Sequence, residues 1–179
     1  MNKTKRIVCL FAIISLIISL QAKGQTQQQK ASGLNNVALK DFLLQKNYVQ
    51  IPLDKNSIGH FTVKVKVNND SALFILDTGA SGTCIDFESA KKFGIDLKDI
   101  SGGAYGYGGD SEKIQIGDAT ITMNNFRKTM TITAIDLTSV NKAYSTENSG
   151  HIDGVIGADI LNGNSAIIDY ETSNLYLKK

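Results

Sequence analysis

The chain has 179 residues, 42% of them hydrophobic and 20% charged, a length that suits a single domain with a sizeable core. Its formal charge of +2 is unevenly placed: residues 1–24 carry four of the 19 basic side chains and none of the 17 acidic ones. The remainder then has 15 basic against 17 acidic residues, a net charge of −2, which leaves nothing to suggest a nucleic-acid-binding or anionic-membrane-binding surface.

At the start of the chain, Lys3, Lys5 and Arg6 form a basic head, followed by a mostly apolar run over residues 7–20 and by Ala22-Lys23-Gly24. As a helix that run would be ~21 Å long, short of the ~30 Å hydrocarbon core of a bilayer. Residues 1–24 are therefore expected to be a removed secretory signal, with no stable membrane anchor and a periplasmic or secreted product. Cys9 leaves with the signal, so Cys84 stands alone and an internal disulfide is not expected. Residues 25–36 are polar and Gln-rich, the composition of a disordered leader. Residues 37–46 place Val37, Leu39, Phe42, Leu43 and Leu44 near helical spacing, so that 25–47 reads as a leader with a short helix.

The body of the chain, residues 48–179, then runs as short strands. Residues 48–53 form the first, with Pro52 marking an edge or its end. Residues 60–67 alternate Phe61, Val63, Val65 and Val67 with Thr62, Lys64 and Lys66, the period of a half-buried strand. Asn68-Asn69-Asp70-Ser71 has turn composition and returns the chain into residues 72–77.

That returning strand ends on Asp77-Thr78-Gly79-Ala80-Ser81, after the apolar run Leu73-Phe74-Ile75-Leu76. An ionised carboxylate costs several kcal/mol to bury unless it is paired or hydrogen-bonded. Here Thr78 offers a hydroxyl donor, and the small Gly79, Ala80 and Ser81 let backbone amides come close. Cys84, in an apolar context seven residues on, reads as a core thiol or a pocket wall. Neither His60 nor His151 lies in a cysteine-peptidase motif that would activate it.

Beyond it, residues 88–93 predict a short helix ended by Gly94. Residues 101–111 hold five glycines with Tyr105 and Tyr107, a flexible stretch in which a hairpin tip can take positive φ. Residues 113–117, 119–123 and 126–135 continue as strands, and 136–150 reads as polar and irregular. A strand over 151–156, one helical turn over 158–161 and two closing strands at 166–170 and 175–177 complete the pass. Many short strands and one or two short helices predict an all-β fold, a small closed barrel.

Residues 74–85, FILDTGASGTCI, resemble the active-site loop of the retropepsin-like aspartic peptidases, where an Asp-Thr/Ser-Gly triplet carries the catalytic acid. Asp153-Gly154-Val155-Ile156-Gly157-Ala158-Asp159 resembles the family's second signature, two apolar residues and a glycine packed beneath that loop. The similarity spans residues 48–179 and is to the secreted bacterial single-domain members. It implies an acid-protease barrel with Asp77 as catalytic residue, Thr78 bracing two loops across a dimer, and Gly79, Ala80 and Ser81 shaping the loop. Val155, Ile156 and Gly157 would lie under it, and Gly103, Tyr105, Tyr107 and Gly108 would belong to a substrate-covering flap.

Two carboxylates sharing one proton can activate water and protonate a departing amine without metal or cofactor. With one such loop per chain, the second carboxylate would come from another copy, which predicts a homodimer acting on a peptide or protein substrate. Asp153 is the in-chain alternative, though no Thr-Gly follows it. Asp159 is expected to cap or brace the helix after Gly157, and Asp86, Glu88, Asp96 and Asp99 to form a solvated face. The competing function is a barrel of the same ancestry that binds peptide without cutting it.

Overall fold

The computed structural model describes residues 37–56, 59–100, 104–105, 111–112, 114–145 and 150–179. The expected signal segment 1–24, the expected leader residues 25–36 and Gly103, Tyr107 and Gly108 of the expected flap lie outside the described residues. The chain divides into two units, Met1–Phe42 and Leu43–Lys179. Residues 37–45 are helical, as their spacing predicts, and form helix α1.

The remaining elements are β1 (Tyr48–Pro52), β2 (Asp54–Lys55), β3 (Phe61–Val67), β4 (Asp70–Leu76), β5 (Cys84–Asp86), α2 (Phe87–Lys92), β6 (Lys98–Asp99), β7 (Ala104–Tyr105) and β8 (Ser111–Glu112). There follow β9 (Gln115–Met123), β10 (Phe126–Ile135), α3 (Thr138–Ser145), β11 (Gly154–Ile156), α4 (Ala158–Gly163), β12 (Ile167–Asp169) and β13 (Asn174–Lys178). The main sheet runs β2-β3-β4-β11-β5-β10-β9-β6, and a further pairing joins β3 to β9, the strands next to its two ends. Six strands, β3, β4, β11, β5, β10 and β9, thus close into the expected small barrel. β1, β13 and β12 make a separate antiparallel sheet.

Local chemistry explains the turns that set the register. Val67 pairs with Asp70, leaving the two-residue loop Asn68-Asn69 with φ of 50° and 83°. Asparagine tolerates that left-handed backbone, and a turn with both φ positive matches the twist of the flanking strands. Asn68 also acts across the barrel: its side-chain oxygen accepts from the Thr120 amide at 3.0 Å, beside the β3–β9 seam.

The alternating residues of β3 face a core that includes Phe74, Ile85, Ile121, Ile132 and Ile156. A second apolar cluster holds Cys84, Leu137, Tyr144, Ile152 and Val155, with Leu73, Ile75, Ala80 and Val140 packed against it. It exists because β4 has two apolar sides. Ala72 and Phe74 belong to the first core, whereas Leu73 and Ile75 lie on the opposite face and need a cover of their own.

The cover includes α3, which the sequence reading left irregular. Leu137, Val140 and Tyr144 sit at helical spacing but among polar neighbours, so the apolar stripe is only three residues deep. Asp136 starts the helix by accepting from the Thr138 amide at 2.7 Å. The Thr138 hydroxyl and amide hold the Asp136 carboxyl below its ordinary range.

Other expectations shift by a few residues. The two strands expected on either side of Asp118 are one strand, β9 (Gln115–Met123), because Gly117 continues the ladder opposite Ile132. Residues 151–153 precede β11 rather than belonging to it. Asp86 is not on a solvated face: it is 6% exposed, and its carboxylate accepts from Glu88 N at 3.1 Å and Leu137 N at 3.0 Å. It caps α2 and ties that helix to the approach to α3, a role that sequence spacing alone does not reveal.

Gly154 packs where no side chain fits. A Cβ there would meet the Cys84 carbonyl oxygen at 2.4 Å and the Phe74 ring at 2.6 Å. Gly154→Ala is expected to lower the free energy of unfolding by about 2 kcal/mol through overpacking, measured by urea denaturation against the parent chain.

Candidate active site

The Asp77 loop begins where β4 stops. β4 and β11 run parallel, pairing Leu76 with Ile156, and the Asp77 amide then donates to the Ile156 carbonyl at 3.1 Å. That bond extends the ladder one residue past the strand and fixes the Asp77 backbone. The chain turns at once, with the Gly79 amide 2.8 Å from Asp77 Oδ1. A carboxylate that accepts a backbone amide two residues on forms an Asx turn, which orients the side chain.

Below this turn, the loop is held by the second signature. The Ala158 amide donates to the Ala80 carbonyl at 2.8 Å. The Thr83 hydroxyl donates to Asp159 Oδ1 at 2.6 Å and accepts from the Gly157 amide at 3.1 Å. The same Asp159 oxygen accepts from Thr83 N at 2.9 Å and Ile160 N at 2.7 Å. Gly157 is required by proximity: a Cβ would lie 2.4 Å from both the carbonyl carbon and oxygen of Gly82.

The structure brings together most of the residues singled out from the sequence. Asp77, Thr78, Gly79 and Ser81 are exposed at the top of the loop and Ala80 is half-buried. Val155, Ile156 and Gly157 are buried beneath. Tyr105 belongs to β7, which pairs antiparallel with β8 through Ala104–Glu112 and Tyr105–Ser111, the backbone pattern of a hairpin. One expectation differs: the Asp77 carboxylate is open to solvent in the single chain rather than buried at the strand end. The chain turns outward straight after β4, and only one loop amide is bonded to that side chain among the described residues.

Asp153 is unavailable as an in-chain partner. It is 4% exposed, and its carboxylate accepts from Leu73 N at 2.9 Å and Ser89 Oγ at 2.8 Å, with Lys92 Nζ at 3.5 Å. Those contacts tie β4 to α2 and to the entry of β11. Thr83 is the residue that sequence reasoning missed. Its signal was its place between two glycine-bearing motifs, but a lone hydroxyl six residues after Asp77 has no distinguishing pattern.

Cys84 is a buried free thiol. Burial pushes it up to about 11, the Val155 backbone hydrogen bond acts the other way, and the negative charges of Asp159 and Asp77 add to the rise. A thiol held neutral in this way is a packing group and not a nucleophile. Among the described residues, no three His, Cys, Asp or Glu side chains converge on a point where a metal ion would sit.

A cavity of about 640 Å³ opens beside Asp77, walled by β3, β4 and α3. A larger groove of about 820 Å³ includes Lys64, Lys66, Lys92 and Asp153, away from the Asp77 loop. Size alone would choose the wrong one, since the larger contains no residue of either signature loop other than Asp153.

A family model described as aspartyl protease matches residues 63–160, which include the Asp77 loop and the Gly157 signature. The chain belongs to the aspartyl protease family. Among solved structures, a retropepsin-like aspartic protease from Rickettsia conorii is 21% identical, with a TM-score of 0.47 over 73% of this chain and 89% of that one. The EIAV protease, solved with an inhibitor, is 18% identical, with a TM-score of 0.47 over 62% of this chain and 92% of that one. The retroviral protease-like domain of Ddi1 from Leishmania major is 15% identical, with a TM-score of 0.45 over 65% and 86% of the respective chains. No curated protein matches the chain. Among the described residues of this aspartyl protease family member, no helix is long and apolar enough to cross a membrane.

Two measurements probe the loop support. Thr83→Val removes the hydroxyl that joins Asp159 to Gly157 and leaves the Gly157 amide unsatisfied, so unfolding should be easier by about 2 kcal/mol, read from thermal or urea melts. Cys84, with its thiol raised to about 11, should stay unmodified by an aromatic disulfide reagent at pH 8 in the folded protein and react at once in denaturant.

Proposed function

We propose that this protein is an aspartic endopeptidase in which Asp77 and the Asp77 of a second copy share one proton across a two-fold axis. The observation that carries the reading is the Asp77 carboxylate, oriented by the Gly79 amide and presented at the exposed tip of a loop that Asp159, Thr83 and Gly157 hold from below. A rigid base under an open carboxylate is what positional catalysis requires.

In the proposed reaction the ionised carboxyl takes a proton from water, and that water attacks the scissile carbonyl carbon. The protonated partner donates its hydrogen bond, and then its proton, as the tetrahedral centre collapses and the amine leaves. Two carboxyls about 3 Å apart cannot both ionise readily, so the shared proton belongs to the pair rather than to either side chain. One chain supplies only one of them, because the carboxylate of Asp153 is spent on Leu73, Ser89 and Lys92.

In such a dimer Thr78, exposed beside Asp77, would hydrogen-bond to the opposing loop. The hairpin of Ala104–Tyr105 and Ser111–Glu112 would cover a bound peptide. Export is part of the proposal, supported by the basic head and apolar run of residues 1–24.

Asp77→Asn is expected to reduce peptide cleavage by at least about a thousandfold while leaving the melting transition in place. Cleavage by the parent chain should rise with the square of concentration at high dilution, alongside a dimer mass in solution. Undiminished cleavage by Asp77→Asn, or full activity in a strict monomer, would overturn the mechanism. A parent protein that binds peptides and cuts none would instead make it a binding barrel.

A further inference from the structure

The cavity beside Asp77 has a composition that selects among substrates. Its walls are apolar: Phe61, Ile75 and Leu76 from the barrel, and Val140 and Ala143 from α3. Tyr170, 70% exposed, stands at its rim with its ring centroid 5.4 Å from that of Phe61. The polar side chains of the wall are Asp77, Ser139 and the hydrogen-bonded pair His60 and Tyr144, with Tyr144 Oη 2.7 Å from His60 Nδ1.

Tyr144 Oη engages His60 Nδ1, which leaves Nε2 as the other hydrogen-bonding nitrogen of the ring, and His60 is exposed at the cavity. A phenol hydroxyl both donates and accepts, so it can pair with Nε2 whichever ring nitrogen carries the proton.

We propose that this cavity is a specificity pocket for a tyrosine side chain of the substrate, with its ring against Phe61, Ile75 and Val140 and its phenol hydroxyl hydrogen-bonded to His60 Nε2. The ring accounts for the apolar walls, because an aromatic side chain buries on the order of 150–250 Å². The phenol hydroxyl accounts for the ring nitrogen held at the wall by Tyr144, which phenylalanine would leave unpaired. A glutamate could also accept that bond, but its charge would enter a cavity that Asp77 already lines. His60 and Tyr144 thus act as specificity residues for the same site. The inference rests on the endopeptidase reading for its kinetic test, and on the cavity alone for its binding test.

The test compares peptides identical except for Tyr, Phe or Glu at each position flanking the scissile bond. The Tyr peptide is expected to exceed the Phe peptide in kcat/KM by about tenfold at one position, with Glu the poorest. His60→Leu, at an exposed position, should bring the Tyr-to-Phe ratio near one. Tyr144→Phe should lower it as well, by freeing the imidazole from its orientation. Cleavage without any Tyr preference, or with a ratio unmoved by His60→Leu, overturns the pocket and leaves the peptidase standing. If nothing is cleaved, the peptidase reading falls, and fluorescence titration of the same labelled peptides against the parent chain and His60→Leu reads the same ratio. Equal affinity for Tyr and Phe peptides there overturns the pocket too.

Discussion

The Thr83 hydroxyl joins the two halves of the site. Thr83 Oγ1 lies between the Asp159 carboxylate and the Gly157 amide, and with the Thr83 and Ala158 amides it holds the end of the Asp77 loop to the start of α4. The contact is possible only because Gly157 lacks a Cβ, which would sit 2.4 Å from the Gly82 backbone. A charge-assisted bond is about twice as strong as a neutral one, and here one carboxylate oxygen accepts from three donors of the loop and helix. With the base of the loop fixed in this way, the short turn above it can leave Asp77 exposed without leaving it loose.

The barrel supplies the other constraint. β4 and β11 are parallel neighbours, and their register sets Asp77 N against Ile156 O. Two separate devices keep that register. Gly154 packs against the Phe74 ring and the Cys84 carbonyl, and the buried Asp153 carboxylate ties Leu73 to Ser89. Sites held by strands rather than by loops are positioned more tightly, and here the turn that carries the carboxylate starts directly from the β4–β11 ladder. On the outer face of the same strands, α3 closes a second cluster and walls the cavity beside Asp77. The helix therefore serves stability and pocket shape together.

Much of this was legible from residue order. The alternation of β3, the Asn-Asn turn, the strand ends at Phe126 and Ile135, and the two glycine-bearing signatures all report local preferences, and local preferences are what a sequence displays. The misses have a common cause. α3 has an apolar stripe of only Leu137, Val140 and Tyr144, too thin to announce a helix until Ile75 and Ile152 are beside it. Asp86 reads as a surface acid because its partners, Glu88 N and Leu137 N, include one 51 residues away. Thr83 gains its role from Asp159, 76 residues on, and His60 from Tyr144, 84 residues on.

The amino-acid sequence by itself determined the barrel class, the loop bearing Asp77 and the glycine signature that follows it, because backbone propensity and side-chain size act over a few neighbouring residues. Tertiary structure alone decided which acids are structural, where Thr83 and Asp159 lock the loop, and how His60, Tyr144 and α3 shape the cavity at Asp77. Those assignments depend on hydrogen bonds between segments far apart in the chain, and such bonds exist only after the strands have set the distances between them.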